Sequence, residues 1–423
     1  MSKTKYQKIT LPQKLRLLLI PMRETQAVTA YLVIGAGSRY EKKQENGLSH
    51  FLEHLFFKGT KKRPSPLDLA KELDSIGASY NAFTSEEMTG FYIQAEASKQ
   101  SVILEILADI LQNSLFQPEE IEREKGVIIE EINMYKDTPN RYIYDLFKQL
   151  LYGDTPLGRL VIGEPKTILK WQKKDLLDYQ ARHYLADRMV LAIAGRFNKA
   201  VRKEVASLFG SLKKGFFASY APIEEKQKEP AVCLFHKQTD QAHLAIGYRS
   251  INRSSPLRYA QDILSVILGG SMSSRLFIEL REKRGLCYHI SAEPWYFDDT
   301  GAFLVYAGVP IKKTGQAIHL ILREFERVAQ KGVTDEELKR AKEFIKGKFA
   351  LRMESSYQTA VFFAEQELLL KEIKTPEEEM KAIEAVQQRE IKELIGLIFQ
   401  PHRLNLALIG PFENKEKFKR LLI

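Results

Sequence analysis

The sequence predicts an α+β protein of two homologous domains, each a largely antiparallel sheet packed with helices. Three observations predict it. A chain of 423 residues is too long for a single core of ordinary size. Its two halves repeat one another in order. Within each half, alternating strands mix with amphipathic helices, but without the strict strand–helix alternation that a parallel sheet requires. The composition supplies the material, with 44% hydrophobic and 28% charged residues and no low-complexity run.

The repeat is clearest at the ends of the halves. Residues 188–197 (RMVLAIAGRF) read as a buried strand stopped by glycine, and residues 403–412 (RLNLALIGPF) give the same pattern without a gap. Upstream, Pro118 and Thr334 each open a long helical segment with acidic residues in the first turn, where the helix dipole favours them. Two further strands correspond, 27–35 with 242–248 and 91–95 with 302–307. The offset drifts between about 208 and 217 residues, as a duplication with small insertions would. Charge, Gly and Pro interrupt the periodic pattern over residues 213–230. The expected division is therefore a first domain at 1–215, a linker at 216–230 and a second domain at 231–423.

Bulk features exclude several classes of function. Two cysteines, Cys233 and Cys287, build neither a disulfide framework nor a four-thiolate metal site, and such scarcity fits a reducing compartment. The longest early apolar run, residues 17–20, is far shorter than a signal-peptide core or a membrane span, so a cytoplasmic protein without membrane attachment is expected. The net charge is +10, but Lys and Arg are interleaved with Asp and Glu along the chain. No basic block joins an aromatic stacking pattern, so the charge reads as a solvated surface and no nucleic-acid partner is expected.

The chemistry concentrates in residues 46–59 (NGLSHFLEHLFFKG). Asn46 is suited to cap a helix there, and Gly59 to end it in a left-handed conformation. Leu48, Phe51, Leu52, Leu55 and Phe56 form one apolar stripe, which leaves His50, Glu53 and His54 together on the opposite face. Histidines four residues apart lie one turn apart and reach one zinc ion. Glu53 stands beside them, placed to exchange a proton with an attacking water without occupying a ligand position. The order His-x-x-Glu-His inverts the common His-Glu-x-x-His of zinc proteases.

A catalytic zinc held by three protein side chains needs one more ligand. The helical segment opened by Pro118 carries Glu124 and Glu131 seven residues apart on one face, with Val127 and Ile128 between them as an apolar border. Glu130 is rotated by about 100°, toward Arg123 and Asn133. Glu131 is therefore preferred over Glu130 as the third ligand.

Together these residues resemble the pitrilysin/insulinase family of zinc peptidases, especially its half-length branch that includes mitochondrial processing peptidase. The resemblance rests on HFLEH at 50–54, followed after 76 intervening residues by Glu131 in EREKGVIIEE at 122–131. It extends to AGSRYE at 36–41, TPLG at 155–158 and SRLFIELREKRGLCY at 274–288, and covers about residues 8–412. The family fold implied is the two-domain metallohydrolase architecture described above. Glu124 falls on the family's additional glutamate, which orients a metal ligand from behind. Arg281 and Tyr288 match an arginine–tyrosine pair that reaches the substrate from the second domain. There, a phenol donates to the oxyanion and a guanidinium fixes substrate carbonyls. Asn81 and Ala82 match the edge strand that holds a peptide by β-augmentation.

The implied activity is hydrolysis of peptide bonds in short or unfolded peptides, with one zinc ion per chain and the metal held only in the first half. Residues 257–270, the counterpart of the histidine-bearing helix, contain no histidine. In the family four such domains close like a clamshell, so a second subunit is implied, as a homodimer or a heterodimer with a related chain. The rival expectation is a catalytically idle scaffold subunit of the same fold. Such subunits lack parts of the zinc signature or the arginine–tyrosine pair, whereas this chain carries both.

Overall fold

The computed structural model describes residues 5–215 and 219–422. Residues 216–218 of the expected linker, and residues 1–4 and 423 at the outer ends of the expected domains, lie outside the described residues. The chain divides into two compact units. One contains Met1–Asn133, Arg159–Ala221 and Ala350–Glu377, the other Met134–Gly158, Pro222–Phe349 and Glu378–Ile423.

The first unit is built on six strands: β1 (Gln7–Thr10), β2 (Arg16–Pro21), β3 (Ala27–Ile34), β4 (Ser79–Thr84), β5 (Thr89–Glu96) and β6 (Met189–Gly195). Their order in the sheet is β1-β2-β6-β3-β5-β4, and only the β2–β6 pair is parallel. The second unit holds β7 (Ala231–His236), β8 (Gln241–Ser250), β9 (Ile290–Tyr296), β10 (Gly301–Pro310) and β11 (Leu404–Gly410). Their order is β7-β11-β8-β10-β9, again with one parallel pair, β7–β11. Apart from β1, the two sheets have the same strand sequence, with β2, β6, β3, β5 and β4 answering to β7, β11, β8, β10 and β9.

β3 and β6 are apolar without alternation because both faces of the first sheet are covered. Helix Ser356–Leu369 forms one cover. Tyr31 donates its phenol to Glu365 at 3.1 Å and meets the Tyr357 ring edge-on at 6.2 Å, while the Thr29 and Ser356 hydroxyls lie 2.9 Å apart. The other cover includes helices Leu48–Leu55 and Gln100–Asn113, with Phe56 edge-to-face on Phe91 of β5 at 5.3 Å. In the second sheet, Ile143 and Phe147 of helix Pro139–Tyr152 bury against Ala245, Leu304, Ala407 and Ile409. Helix Arg258–Gly269 covers the opposite face through Ile263, Leu264 and Leu268. Each buried Leu, Ile or Phe contributes about 1.5–3 kcal/mol, so a covering helix is a major term for its sheet. One cover of each sheet therefore comes from the other half of the chain.

Candidate metal centre

The histidine-bearing helix spans Leu48–Leu55 and buries Leu48, Phe51, Leu52 and Leu55. Its N-cap is Gly47, not Asn46, at φ 96° and with no side-chain cap of its own. A side chain at Gly47 would be strained in this left-handed conformation and would meet Gly163 Cα at 2.7 Å. Asn46 instead donates to Leu160 O at 2.9 Å, because the carboxylate of Glu41 already occupies the first helical amides. Beyond the last helical residue the chain turns and reaches Gly59 at φ 119°, the positive φ expected there.

The apolar stripe faces inward, which leaves His50, Glu53 and His54 partly accessible on the other side. The imidazole centroids of His50 and His54 are 4.7 Å apart. Helix Pro118–Asp137 brings Glu131 opposite them: its Oε2 lies 3.8 Å from His50 Nε2 and 3.5 Å from His54 Nε2. Among the described residues this trio is the one group whose candidate ligand atoms lie within 4.8 Å of one another. Glu131 Oε2 is buried without a hydrogen-bond partner. Two imidazole nitrogens converging on an orphaned carboxylate oxygen form a donor set that fits zinc.

The surrounding groups complete the electrostatics. Glu124 is buried and accepts from both His54 Nδ1 at 3.1 Å and Lys58 Nζ at 2.7 Å. Burial opposes ionisation of Glu124, but these two partners outweigh it and hold its carboxyl below the usual range. His54 is moved upward: burial opposes its charge, and the Glu124 hydrogen bond with the Glu53 and Glu131 charges overcomes it. His50 goes the other way, lowered to about 3 by burial and then by His54, so its ring is neutral and has a lone pair to offer. Burial raises Glu131, with His54 opposing. Glu130 is exposed. Val127 is also exposed, at 45%, which corrects the expected apolar border: only Ile128 is buried, because the helix turns Val127 outward.

Glu53 is raised by burial, which a hydrogen bond from Thr84 and the nearby His54 only partly offset. That bond runs from Thr84 Oγ1 to Glu53 Oε2 at 2.6 Å. Thr84 ends β4, the terminal strand of the sheet order, which also carries Asn81 and Ala82. The Ala82 amide donates to the side chain of its own neighbour, Asn81 Oδ1, at 2.9 Å.

In the second unit Arg281 and Tyr288 lie together. The Arg281 guanidinium stacks 4.7 Å from the Tyr288 ring centroid and donates to Tyr288 O at 3.0 Å. Tyr288 is 79% exposed, so its phenol is open to a ligand. Three functional-site contacts were not read from sequence: Thr84 on Glu53, Lys58 on Glu124, and Glu41 on the helix start. Each sits within or beside a segment already singled out, but a spacing rule has no way to mark a contact that closes through space.

Comparison with known proteins adds the family. The model of the insulinase family (peptidase family M16) matches residues 16–164, and the model of the peptidase M16 inactive domain matches residues 170–345. An uncharacterized zinc protease of Bacillus subtilis is 34% identical over 381 residues, covering 90% of this chain and 92% of the relative. Another, from Streptomyces coelicolor, is 33% identical over 414 residues, covering 96% and 90%. In fold, the chain superposes on the crystal structure of a protease from Helicobacter pylori with TM-score 0.91 at 24% identity, covering 97% of this chain and all of that one. A peptidase M16 inactive domain structure from Pseudomonas fluorescens gives 0.89 at 19% identity, covering 97% and 99%.

Proposed function

The chain belongs to the insulinase family of peptidases, family M16, and from that premise we propose that it is a zinc metalloendopeptidase acting on short or unfolded peptides. The observation that carries the reading is the convergence of His50, His54 and Glu131 on one point, with Glu53 beside them. His50, His54 and Glu131 would hold one zinc ion, and Glu124 would orient His54 through its Nδ1. Zinc in such a donor set supplies a Lewis acid that polarises a carbonyl and makes water nucleophilic at neutral pH.

The remaining steps belong to the chain's own side chains. Glu53, pushed upward by burial, takes the proton of the attacking water and returns it to the leaving amine. Its Oε2 is fixed by Thr84, which leaves Oε1 for that exchange. A substrate backbone pairs along β4 at Asn81 and Ala82 and displaces the Asn81 side chain from the Ala82 amide. Tyr288 donates to the developing oxyanion, and Arg281 turns from the Tyr288 carbonyl to those of the substrate. A second copy of this chain or a related subunit completes the enclosure, and the site of action is the cytoplasm. Among the described residues no helix is long and apolar enough to cross a membrane.

Hydrolysis of quenched fluorescent peptides by the purified chain tests the reading. Cleavage abolished by a chelator and restored by zinc is the expected result. Absence of both cleavage and bound zinc would overturn it in favour of an idle scaffold subunit. Sedimentation of the active species reads the subunit count.

A further inference from the structure

We propose that Glu41 is a positioning residue of the metal centre: its carboxylate grips the first turn of helix Leu48–Leu55 and thereby holds His50 at its ligating angle. The inference rests on the zinc reading above and assigns the part that His50 lacks. A metal-binding histidine ordinarily has its second ring nitrogen fixed by a carboxylate or carbonyl. His54 has Glu124 in that role, at 3.1 Å. The Nδ1 of His50 is buried and has no hydrogen-bond partner among the described residues. The orientation of His50 must therefore come from its backbone.

That backbone belongs to an eight-residue helix, far too short to hold its geometry unaided. Its first turn is fixed by Glu41, which is only 2% exposed. Glu41 Oε2 accepts from the Gly47 amide at 2.8 Å and from Asn46 Nδ2 at 3.4 Å. Glu41 Oε1 accepts from the Ser49 amide and the Ser49 hydroxyl, both at 2.6 Å. The Tyr179 phenol, 2.7 Å from Ser49 Oγ, donates into the same chain, since the Ser49 proton is already given to Glu41. Ser49 immediately precedes His50. Burial pushes this carboxyl up to about 7, with the hydrogen bonds from Ser49, Gly47 and Asn46 opposing, and in its charged form it also interacts favourably with the helix dipole. The carboxylate thus acts as an N-cap supplied from six residues upstream of Gly47, and it holds the ligand histidine whose second ring nitrogen no side chain steadies.

The experiment is a zinc titration of the full chain in competition with a chromogenic chelator, alongside circular dichroism and thermal melting. Glu41→Gln keeps the shape but turns an N–H group toward an amide that needs an acceptor. It is expected to weaken zinc binding by about 10–100-fold while the protein remains folded. Leu32→Ala is the control for mere destabilisation: a cavity in β3 lowers the melting temperature but leaves the zinc dissociation constant of the folded protein within about twofold. If Glu41→Gln fails to fold, Ser49→Ala removes one of the four donors and is expected to weaken zinc binding by about threefold. Wild-type zinc binding with unchanged affinity in the folded Glu41 variant, or in Ser49→Ala where that variant does not fold, overturns the role of Glu41 and leaves the peptidase reading standing. A wild-type chain that binds no zinc removes the premise and overturns both.

Discussion

The two units build similar sheets and set different partners against their buried or half-buried carboxylates. In the first, helix Pro118–Asp137 turns Glu124 and Glu131 toward two imidazoles. In the second, the corresponding helix Asp335–Met353 is preceded by Thr334 and offers Glu337, which a guanidinium meets in a two-pronged pair: Arg275 Nε to Oε1 at 2.7 Å and Nη2 to Oε2 at 2.8 Å. Burial disfavours the charge of Glu337, but Arg275 and the Thr334 amide overcome it and lower the carboxyl to about 2. Burial raises Glu131 with only His54 to oppose it. A carboxylate completed by arginine is finished structure. One left under-neutralised between histidines has capacity for a cation. Duplication supplied the same scaffold twice, but with Thr334 answering to Pro118, Glu337 takes the place of Ile121 rather than of Glu131, so position along the helix as well as partner separates the two outcomes.

The comparison breaks most decisively at Glu53. The counterpart of its helix, Arg258–Gly269, has no histidine and packs into its core, so only the first unit carries the proposed base. Glu53→Gln is expected to lower kcat by about 10²–10⁴-fold with zinc content and melting temperature unchanged. Full activity in a folded, zinc-loaded variant would end the mechanism. Tyr288→Phe asks whether the second unit contributes chemistry as well as structure. An oxyanion donor is worth about 10²–10³-fold in kcat, so a drop of about 10²-fold with intact zinc affinity is expected. Steady-state kinetics showing only a KM effect would reduce Tyr288 to a binding contact. Glu124→Gln sharpens the contrast between ligand and support: zinc affinity should fall about 10–100-fold, measured by chelator competition. An unchanged affinity would mean that Glu124 serves Lys58 alone.

Much of this arrangement was legible in the sequence, and the limits have physical causes. The spacing of His50 and His54 puts both rings one turn apart on any helix, and the seven-residue step from Glu124 to Glu131 works the same way. The duplicated strand patterns at 188–197 and 403–412 correspond to β6 and β11, which occupy equivalent places in the two sheets. What failed were assignments that close through space. Asn46 has the right chemistry for a cap, but Glu41 reaches the same amides from upstream and displaces it. Val127 has the right polarity for a border, but the helix rotation leaves it exposed. The amphipathic pattern of Pro139–Tyr152 specifies a buried face, whereas Ser356–Leu369 is buried on nearly every side through the run 359–364, and in neither does the pattern say which sheet will be covered.

The smallest expected effect tests the structural side of the comparison, at Glu337. Besides Arg275, this side chain accepts from the Thr334 amide at 2.8 Å, while the Glu337 amide donates to Thr334 Oγ1 at 3.2 Å, which completes a capping box at the start of Asp335–Met353. Arg275 and Glu337 are only 13% and 16% exposed, so solvent screens the pair weakly. Glu337→Gln loses the charge and one acceptor, and leaves a guanidinium whose Nη1 is already unpartnered with less to hold. The expected cost is about 2–3 kcal/mol, read by denaturant unfolding near neutral pH, with zinc affinity unchanged. The sign with pH follows from the lowered carboxyl: its contribution is fully present above the ordinary value of 4.5 and is lost as the pH falls through about 2. The gap between wild type and variant should therefore close across that window. A gap that persisted undiminished to pH 2 would assign the loss to packing rather than charge, and a fall in zinc affinity would show that the second unit's carboxylate is not confined to structure.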